Sequence, residues 1–268
     1  MSAYIKKKAK TLLIPYVTFG IAHYLIWLVN NWEVKTVEPF YCLFWNNPDG
    51  LAIAGALWFL TALFFTEVTY FMLERYIRNT IVLSGVILVF VAGGRLAASD
   101  LPFRLPYALD AAFVGLGLLH VAYLMKKYAE NKFVKQAMNM SKTACLVLGI
   151  IFTALTFENG YINMRTGAYT KFWLFAVNAV GLTIVGLNIA RHLEGLKKAS
   201  VFCWIKRIGK NSIVYVCLNQ LVIMHVVKLF DSPGILSKIA VLLATLIVLG
   251  VCDRMFNDTK LKILIGKF

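Results

Sequence analysis

The sequence has few of the groups on which soluble catalytic sites depend. Its five cysteines form no Cys-x-x-Cys pair, which argues against a zinc site or a disulfide framework. It contains no P-loop, no dinucleotide-binding fingerprint, no Gly-x-Ser-x-Gly elbow and no His-Glu-x-x-His helix. The familiar soluble enzyme classes are therefore poor candidates, and the sequence predicts no metal site.

Charge is also scarce, and long apolar runs take its place. Charged residues make up 15% of the chain, hydrophobic residues 60%, and the mean hydropathy is +0.71. Soluble domains contain about 45–50% apolar residues. A membrane-spanning helix needs about 20 mostly apolar residues. Such runs occupy residues 11–30, 51–73, 80–97, 107–125, 143–158, 172–192, 211–230 and 235–252.

These runs predict a helical membrane protein. Lipid offers no partners for backbone N–H and C=O groups, so each run must satisfy them internally as a helix. The alternation that is typical of transmembrane barrels is absent. We therefore expect an all-α polytopic transmembrane helix bundle of about eight spans, in one membrane domain over residues 1–268.

The basic residues indicate an orientation. The net charge is +15, and 21 of the 28 Lys and Arg residues fall in segments 1–10, 74–79, 126–142, 191–210 and 253–268. If these segments lie on one side, the positive-inside rule places both termini in the cytoplasm, as in an inner (plasma) membrane protein. Contact with anionic lipid head groups explains the charge without nucleic acid. Residues 193–206 could form an interfacial amphipathic helix, and the tail from Lys260 is expected to rest on the inner leaflet.

A small set of ionisable residues lies within or beside the predicted spans. Such residues are costly in lipid and usually mark functional sites. Arg95 and Asp110 fall at similar depth on two consecutive spans and could form an ion pair that fixes this hairpin. Apart from Glu67 and His120, most of the set falls in the outer half of the spans, which predicts either an outward-opening polar cavity or placement near interfacial water. The other members of the set are Glu67, Glu158, Arg165, His23, His120 and His225.

Two polar stripes follow helical spacing. Ser212, Tyr215 and Asn219 share one face of the seventh run, and Asn178 and Asn188 share one face of the sixth together with Gly181. Small and amide residues often hold membrane helices together. The stripes therefore predict either helix packing or a substrate-lining surface.

Five segments in order resemble the acyltransferase family 3 membrane proteins, in particular the branch that is similar to fucose 4-O-acetylase. They are the basic run Lys6–Tyr16 leading into Leu-Leu-Ile-Pro, the Trp-Phe-Leu helix Leu57–Phe64, Leu105–Asp110, Asn163–Arg165 with Tyr169, and Ile208–Ser212 with its Gly-Lys-Asn-Ser. The resemblance implies transfer of an acyl group, usually acetyl, from cytoplasmic acyl-CoA to a hydroxyl of a cell-envelope sugar or polysaccharide. It implies an acyl-CoA donor substrate and no bound cofactor.

The resemblance also implies roles for particular residues. The basic run would meet the phosphates of the donor, and polar side chains of the spans would line the acceptor path and supply hydrogen bonds. Catalytic candidates on this basis are Glu67, Asp110 and His225. Substrate-binding candidates are Lys7, Lys8, Lys10, Trp58, Arg95, Arg165, Asn211, Ser212 and Asn219.

The sequence departs from the family pattern in ways that favour other functions. Members usually begin with two further spans, the first of which carries the His expected to act as base, whereas this sequence starts at the basic run. Asn219 stands where a His is common, and an amide cannot titrate near neutrality. A non-catalytic relative that acts as a scaffold or partner in envelope-polysaccharide assembly is one alternative. A small transporter with Glu67 as its coupling group is another.

Overall fold

The computed structural model describes residues 2–33, 37–45, 54–101, 103–196, 200–230 and 234–267. Its helices are α1 Ser2–Lys8, α2 Ile14–Asn30, α3 Glu38–Phe44, α4 Trp58–Tyr76, α5 Thr80–Asp100, α6 Leu109–Lys127, α7 Lys132–Ala137, α8 Lys142–Asn159, α9 Phe172–His192, α10 Ser200–Lys210, α11 Ser212–Val227 and α12 Ile235–Asn257. Between α8 and α9, strand β1 (Ile162–Asn163) pairs antiparallel with β2 (Ala168–Tyr169), with Ile162 opposite Tyr169. The fold is therefore an all-α helix bundle, as the apolar runs predicted.

Local signals in the sequence set the helix ends. The Asn79 side chain accepts the Ile81 N–H at 2.9 Å and caps α5, and Ser141 caps α8 through the Ala144 N–H at 3.1 Å. Such caps satisfy backbone donors that a helix start leaves open. A different signal acts at the start of α2. Pro15 lacks an N–H, and in a regular α-helix its ring would crowd the carbonyl group four residues earlier. The chain widens there into a π-helical turn over Ala9–Leu13, between α1 and α2.

Six helical stretches of the described residues are long and apolar enough to cross a membrane. They are Ala3–Asn30, Thr80–Asp100, Pro106–Lys127, Lys142–Asn159, Phe172–His192 and Ile235–Asn257. They correspond to six of the eight predicted spans. A seventh, α11, qualifies only together with Phe202–Lys210, from which it is bent by 92°.

The predicted second span is the exception. Its helical part, α4, carries Glu67, Glu74 and Arg75, and it is not among the six stretches. Residues 51–53 of that prediction lie outside the described residues. Eight spans therefore stay a prediction.

The chain divides into two compact units. Unit 1 contains Met1–Val68, Arg104–Leu109 and Trp204–Phe268, and unit 2 contains Thr69–Phe103 and Asp110–Cys203. The core of unit 1 is formed by α2, the start of α4, α11, α12 and the C-terminal 3-10 turn Lys260–Ile265, with Tyr16, Leu57, Val214 and Ile265 among its buried side chains. A core cluster of unit 2 contains Tyr70, Leu83, Ile87 and Leu116.

The end of the C-terminal tail packs into unit 1, whereas Leu261 and Ile263 stay exposed, so the expected contact of the tail with a lipid leaflet stays a prediction. Ile265 is 1% exposed within the core, and a Cβ on Gly266 would lie 2.4 Å from the Lys10 carbonyl oxygen. Gly266 adopts φ +74°, so glycine suits this position in both conformation and space. Ile265 therefore packs against protein, and its neighbour Gly266 lies against the π-helical turn.

This contact limits how often the chain can cross the membrane. Lys10 and Gly266 lie at the same end of unit 1, so an even number of complete crossings must separate them. The six apolar stretches satisfy this condition, and so do the eight predicted spans. If all six stretches cross the membrane, α4 and α11 either both cross or both do not.

Candidate functional site

In unit 1 the N-terminal basic run contacts the predicted carboxylate Glu67. Lys8 Nζ forms an ion pair with Glu67 Oε2, and the Tyr4 hydroxyl donates to the same oxygen at 3.3 Å. Lys8 also lies over the Tyr4 ring, 5.6 Å from its centre. Since Lys8 neutralises Glu67, this carboxylate is better suited to holding α1 on α4 than to carrying a coupled proton.

The other lysines of the run face solvent. Lys6, Lys7 and Lys10 are exposed, and a groove of about 520 Å³ begins at Lys6 and Lys10 and follows Leu13, Ile14 and Val17 along α2. Lys260 and Lys262 of the packed tail are exposed as well. The fold therefore joins both basic terminal segments into one cationic end of unit 1.

A polar network at this end connects α10, α11, α12 and the tail. Asp253 is 1% exposed, accepts from Arg207 Nε at 2.5 Å and accepts from Asn257 Nδ2 at 2.7 Å. Lys267 Nζ donates to Asn257 Oδ1 at 2.5 Å and to Asn211 Oδ1 at 2.6 Å. The predicted site residue Asn211 is thus one end of a chain of hydrogen bonds that fixes the corner between α10 and α11.

The charges of this network shift two pKa values. The hydrogen bonds that Arg207 donates to Asp253 and, at 3.0 Å from Nη2, to Asp258 raise the pKa of Arg207. Partial burial lowers the pKa of Lys267, although Asp253 opposes that shift. Sequence analysis missed Arg207, Asp253, Asn257 and Lys267 as a group because they are up to 60 positions apart. The only available signal was an Asp near the end of an apolar run.

Further from the cationic end, along α2 and α11, two polar side chains of unit 1 have unused hydrogen-bonding capacity. His23 on α2 is 1% exposed, and neither ring nitrogen has a hydrogen-bond partner among the described residues. Asn219 Oδ1 on α11 is buried and also lacks one within that part of the chain. At 1.5 Å per residue, His23 lies about 20 Å beyond Lys10, and Asn219 about 12 Å beyond Asn211. The helices that carry them pack against each other.

Two further predicted residues of unit 1 lie on α11. His225 is exposed, with Nδ1 2.8 Å from the Leu221 carbonyl, and Ser212 is exposed at the helix start. Among the described contacts, neither His225 nor Ser212 is hydrogen-bonded to a side chain that could act as a catalytic partner. Trp58 begins α4, is half-buried and packs edge-on against Phe59 at 6.1 Å.

Residues 104–109 of unit 1 contain strained backbone. Tyr107 and Ala108 adopt φ +56° and +57°, a region that non-glycine residues enter at a cost of roughly 1–3 kcal/mol each. Ala108 is completely buried, and the Tyr107 ring lies 6.1 Å from that of Phe65. Tertiary packing of the Leu-Pro-Tyr-Ala segment therefore imposes a backbone conformation that the segment would not adopt by itself.

Unit 2 holds the remaining predicted residues. The Arg95 guanidinium lies over the Tyr169 ring at 5.6 Å, which connects α5 to the β1–β2 hairpin that carries Arg165. Asp110 is 1% exposed, and its carbonyl oxygen lies against Gly94, where a Cβ would approach it to 2.6 Å. The ion pairs of the described residues do not join Arg95 to Asp110. The predicted pair is therefore wrong: close packing at Gly94, together with the Arg95–Tyr169 contact, holds this region.

Unit 2 also buries a histidine, but with its hydrogen bonds complete. His120 Nδ1 lies 3.0 Å from the Tyr70 hydroxyl, and Nε2 lies 2.8 Å from Ser84 Oγ. The Tyr123 ring stacks on the imidazole at 6.0 Å. With both nitrogens occupied, this group connects α4, α5 and α6.

The predicted stripe on α9 is buried as a packing surface. Gly181 lies against the Phe152 ring, where a Cβ would come within 2.3 Å. Asn188 donates to the carbonyls of Ala137 and Ile184 at 2.9 Å each and accepts the Met140 N–H at 2.9 Å. Asn178 is buried too, and its amide has no hydrogen-bond partner among the described residues.

Comparison with known proteins places the chain in a family. A search of curated proteins and a search of solved structures each found no match. The family model described as "Acyltransferase domain", that of acyltransferase family 3, matches residues 1–253. It covers the residues discussed above up to Asp253 and leaves out those of the C-terminal end of α12 and of the tail. The chain is a multi-pass membrane protein that belongs to acyltransferase family 3.

Proposed function

We propose that this chain transfers an acyl group, acetyl in the simplest case, from acyl-CoA to a hydroxyl group of a cell-envelope sugar or polysaccharide. Membership of acyltransferase family 3 supports a membrane acyltransferase. The observation that carries the finer proposal is the arrangement of unit 1. Its cationic end suits a polyanionic donor, and α2 runs from that end to a buried imidazole with open hydrogen-bonding capacity.

The cationic end would hold the phosphates of the donor. Lys6, Lys7 and Lys10 are exposed beside the groove along α2, and charge-assisted bonds from ammonium groups to phosphate are among the stronger hydrogen bonds. The groove walls are apolar, which suits the uncharged arm that carries the thioester. Lys8 is held by Glu67 and would fix the position of the run.

His23 would act as general base. In the transfer, the acceptor hydroxyl oxygen attacks the thioester carbonyl, its proton passes to His23, and the carbon–sulfur bond breaks. The CoA thiolate leaves and takes up the proton from His23, so that an ester and free CoA result and the imidazole is neutral again. A neutral imidazole with an open nitrogen lone pair can accept such a proton, and the Asn219 amide could hydrogen-bond the acceptor or the developing oxyanion.

The test uses membranes that contain only this chain, supplied with radiolabelled acetyl-CoA and an envelope-sugar extract. We expect label in the sugar fraction and release of free CoA, both absent from membranes without the chain. Glu67→Gln should reduce the transfer because Lys8 loses its partner, whereas Glu74→Gln, an exposed position on the same helix, should not. Asp110→Asn tests the other carboxylate predicted to take part in catalysis.

The outcome separates the proposal from its alternatives. If no acetyl-CoA is consumed by membranes with folded protein, the non-catalytic scaffold becomes the better explanation. If Glu67→Gln and Asp110→Asn each turn over as fast as the parent protein, neither carboxylate takes part in the mechanism. Ion-dependent solute uptake into vesicles without acyl transfer would favour a transporter.

A further inference from the structure

A cavity in unit 2 is not used by the proposed reaction. It measures about 620 Å³ and lies between α6 and α9, with Leu118, Ala122 and Met125 on one wall and Val180, Ile184 and Leu187 on the other. We call it the α6–α9 cavity. Its volume falls within the roughly 300–1,000 Å³ of small-molecule sites, and these walls are apolar.

One end of the α6–α9 cavity is cationic. Lys126, Lys135 and Arg191 line it there, at the end where α6 and α9 finish. Lys126 has no ion-pair partner within the described part of the chain. Lys135 lies 3.9 Å from Glu130, whose side chain is 96% exposed, and an exposed pair of this kind contributes little. Positive charge therefore remains available for an anion.

Lys126, Lys135 and Arg191 form a cationic rim, and hydrogen bonds of neighbouring residues hold this rim in place. Asn188 is 2% exposed, and two of its three hydrogen bonds tie α9 to Ala137 at the end of α7 and to Met140 in the connector that follows, while the third goes to Ile184 of α9 itself. Arg191 donates one N–H to the Met138 carbonyl, and His192 Nε2 lies 2.9 Å from the Met140 carbonyl. A guanidinium has five N–H donors, so Arg191 keeps others for a ligand. The cationic rim is preorganised.

We propose that the α6–α9 cavity binds an anionic glycerophospholipid, with its phosphate among Lys126, Lys135 and Arg191 and an acyl chain between α6 and α9. Charge complementarity selects this occupant: a neutral helix of a partner protein would leave the three cations unpaired, and a free phosphate would leave the apolar walls empty. Basic pockets between membrane helices on the cytoplasmic side commonly bind anionic lipid head groups. The proposal does not depend on the acyltransferase reaction.

The experiment measures lipid retained by the purified protein. The full chain is reconstituted in nanodiscs of mixed phosphatidylglycerol and phosphatidylcholine, released into mild detergent and examined by native mass spectrometry. We expect bound phosphatidylglycerol in excess of phosphatidylcholine. The double variant Lys126→Gln/Lys135→Gln should weaken retention by about fivefold per lysine, or about 25-fold in all.

Two further variants make the result specific. Lys132→Gln/Lys142→Gln removes the same charge from the same stretch of chain, residues 126–142, but not from the cavity lining, and it should retain lipid. Ala122→Phe keeps every charge, fills the cavity and should lose lipid. Tryptophan fluorescence melting confirms that each variant is folded.

Three outcomes would overturn the proposal: no phospholipid on the parent protein, equal retention of the two lipids, or equal losses in the two double variants. The last would indicate general attraction to an anionic surface instead of a site. A partner helix in the cavity would appear as a co-purifying protein mass in place of lipid.

Discussion

Each unit buries a histidine, and the two histidines differ in what surrounds them. His120 in unit 2 has a hydroxyl on each ring nitrogen, whereas His23 in unit 1 has no hydrogen-bond partner among the described residues. A buried polar group without a partner costs free energy and needs an explanation. We infer that His120 holds helices together, and that His23 keeps its capacity for a substrate.

The largest expected effect is on activity. If His23 is the base, His23→Gln should lower the rate of acyl transfer by about 10²–10⁴-fold, the usual contribution of general acid–base catalysis. His225→Gln, at an exposed histidine of the same unit, should leave the rate unchanged. Initial rates of CoA release per folded molecule provide the measurement, and equal rates in the two variants would show that burial without a partner does not mark the base.

The complementary change in unit 2 should affect stability and not chemistry. Tyr70→Phe removes the hydroxyl at His120 Nδ1 and leaves a buried nitrogen without its partner, which costs about 1–3 kcal/mol. Reversible unfolding in mixed micelles measures this loss, with turnover per folded molecule as the control. A normal free energy of unfolding combined with a lost activity would reverse the roles assigned to the two histidines.

Glycine-to-alanine substitutions compare how tightly the two units are packed, with the free energy of unfolding as the measure. A Cβ at Gly94 would meet the Asp110 backbone oxygen at 2.6 Å, whereas the site beside Gly93 is open. Overpacking against backbone costs about 1–3 kcal/mol, so Gly94→Ala should lower the free energy of unfolding by that amount. Gly93→Ala should stay within about 0.5 kcal/mol.

Unit 1 offers the contrasting case. A Cβ at Gly20 would meet the Leu43 Cδ2 methyl group at 2.6 Å, which a rotation of that side chain can relieve. Gly20→Ala should therefore cost less than Gly94→Ala in the same unfolding experiment. A larger loss at Gly20 would mean that unit 1 is packed as rigidly as unit 2.

The smallest expected effect is a pH dependence at the cationic end. Burial lowers the pKa of Lys267 below its ordinary value of 10.5, so above the lowered pKa the unfolded chain binds more protons than the folded one. Stability contributed by this group therefore rises with pH between the lowered pKa and 10.5. Lys267→Gln should flatten the plot of unfolding free energy against pH in that range. An unchanged slope would show that the titration of Lys267 does not contribute to the pH dependence of stability.

Local rules in the sequence predicted most of the helices. Apolar length predicted six of the candidate spans, with the largest error at the start of the first, which begins at Ala3 and not at residue 11, and the Gly-Lys-Asn-Ser sequence correctly marked the start of α11. The amphipathic helix expected over residues 193–206 is confirmed in part: α10, which is amphipathic, begins at Ser200, and Leu193–Leu196 form a 3-10 turn. Residues 197–199 of that prediction lie outside the described residues.

The candidate site was predicted less completely. The basic run and Glu67 do meet, and Asn211 does take part in a polar network. The expected pair of Arg95 with Asp110 is wrong because similar depth on two helices does not fix the direction in which their side chains point. His225 faces outward for the same reason.

The sequence by itself determined that this chain forms membrane helices and that it belongs to its family, because hydrophobic length and short motifs are properties of neighbouring residues. Only the tertiary structure decided which buried polar groups are satisfied. Asp253 meets Arg207 across 46 positions, and Gly266 meets Lys10 across nearly the whole chain. A hydrogen bond depends on distance and direction in space, so the difference between His23 and His120 could not be read from their similar places on apolar helices.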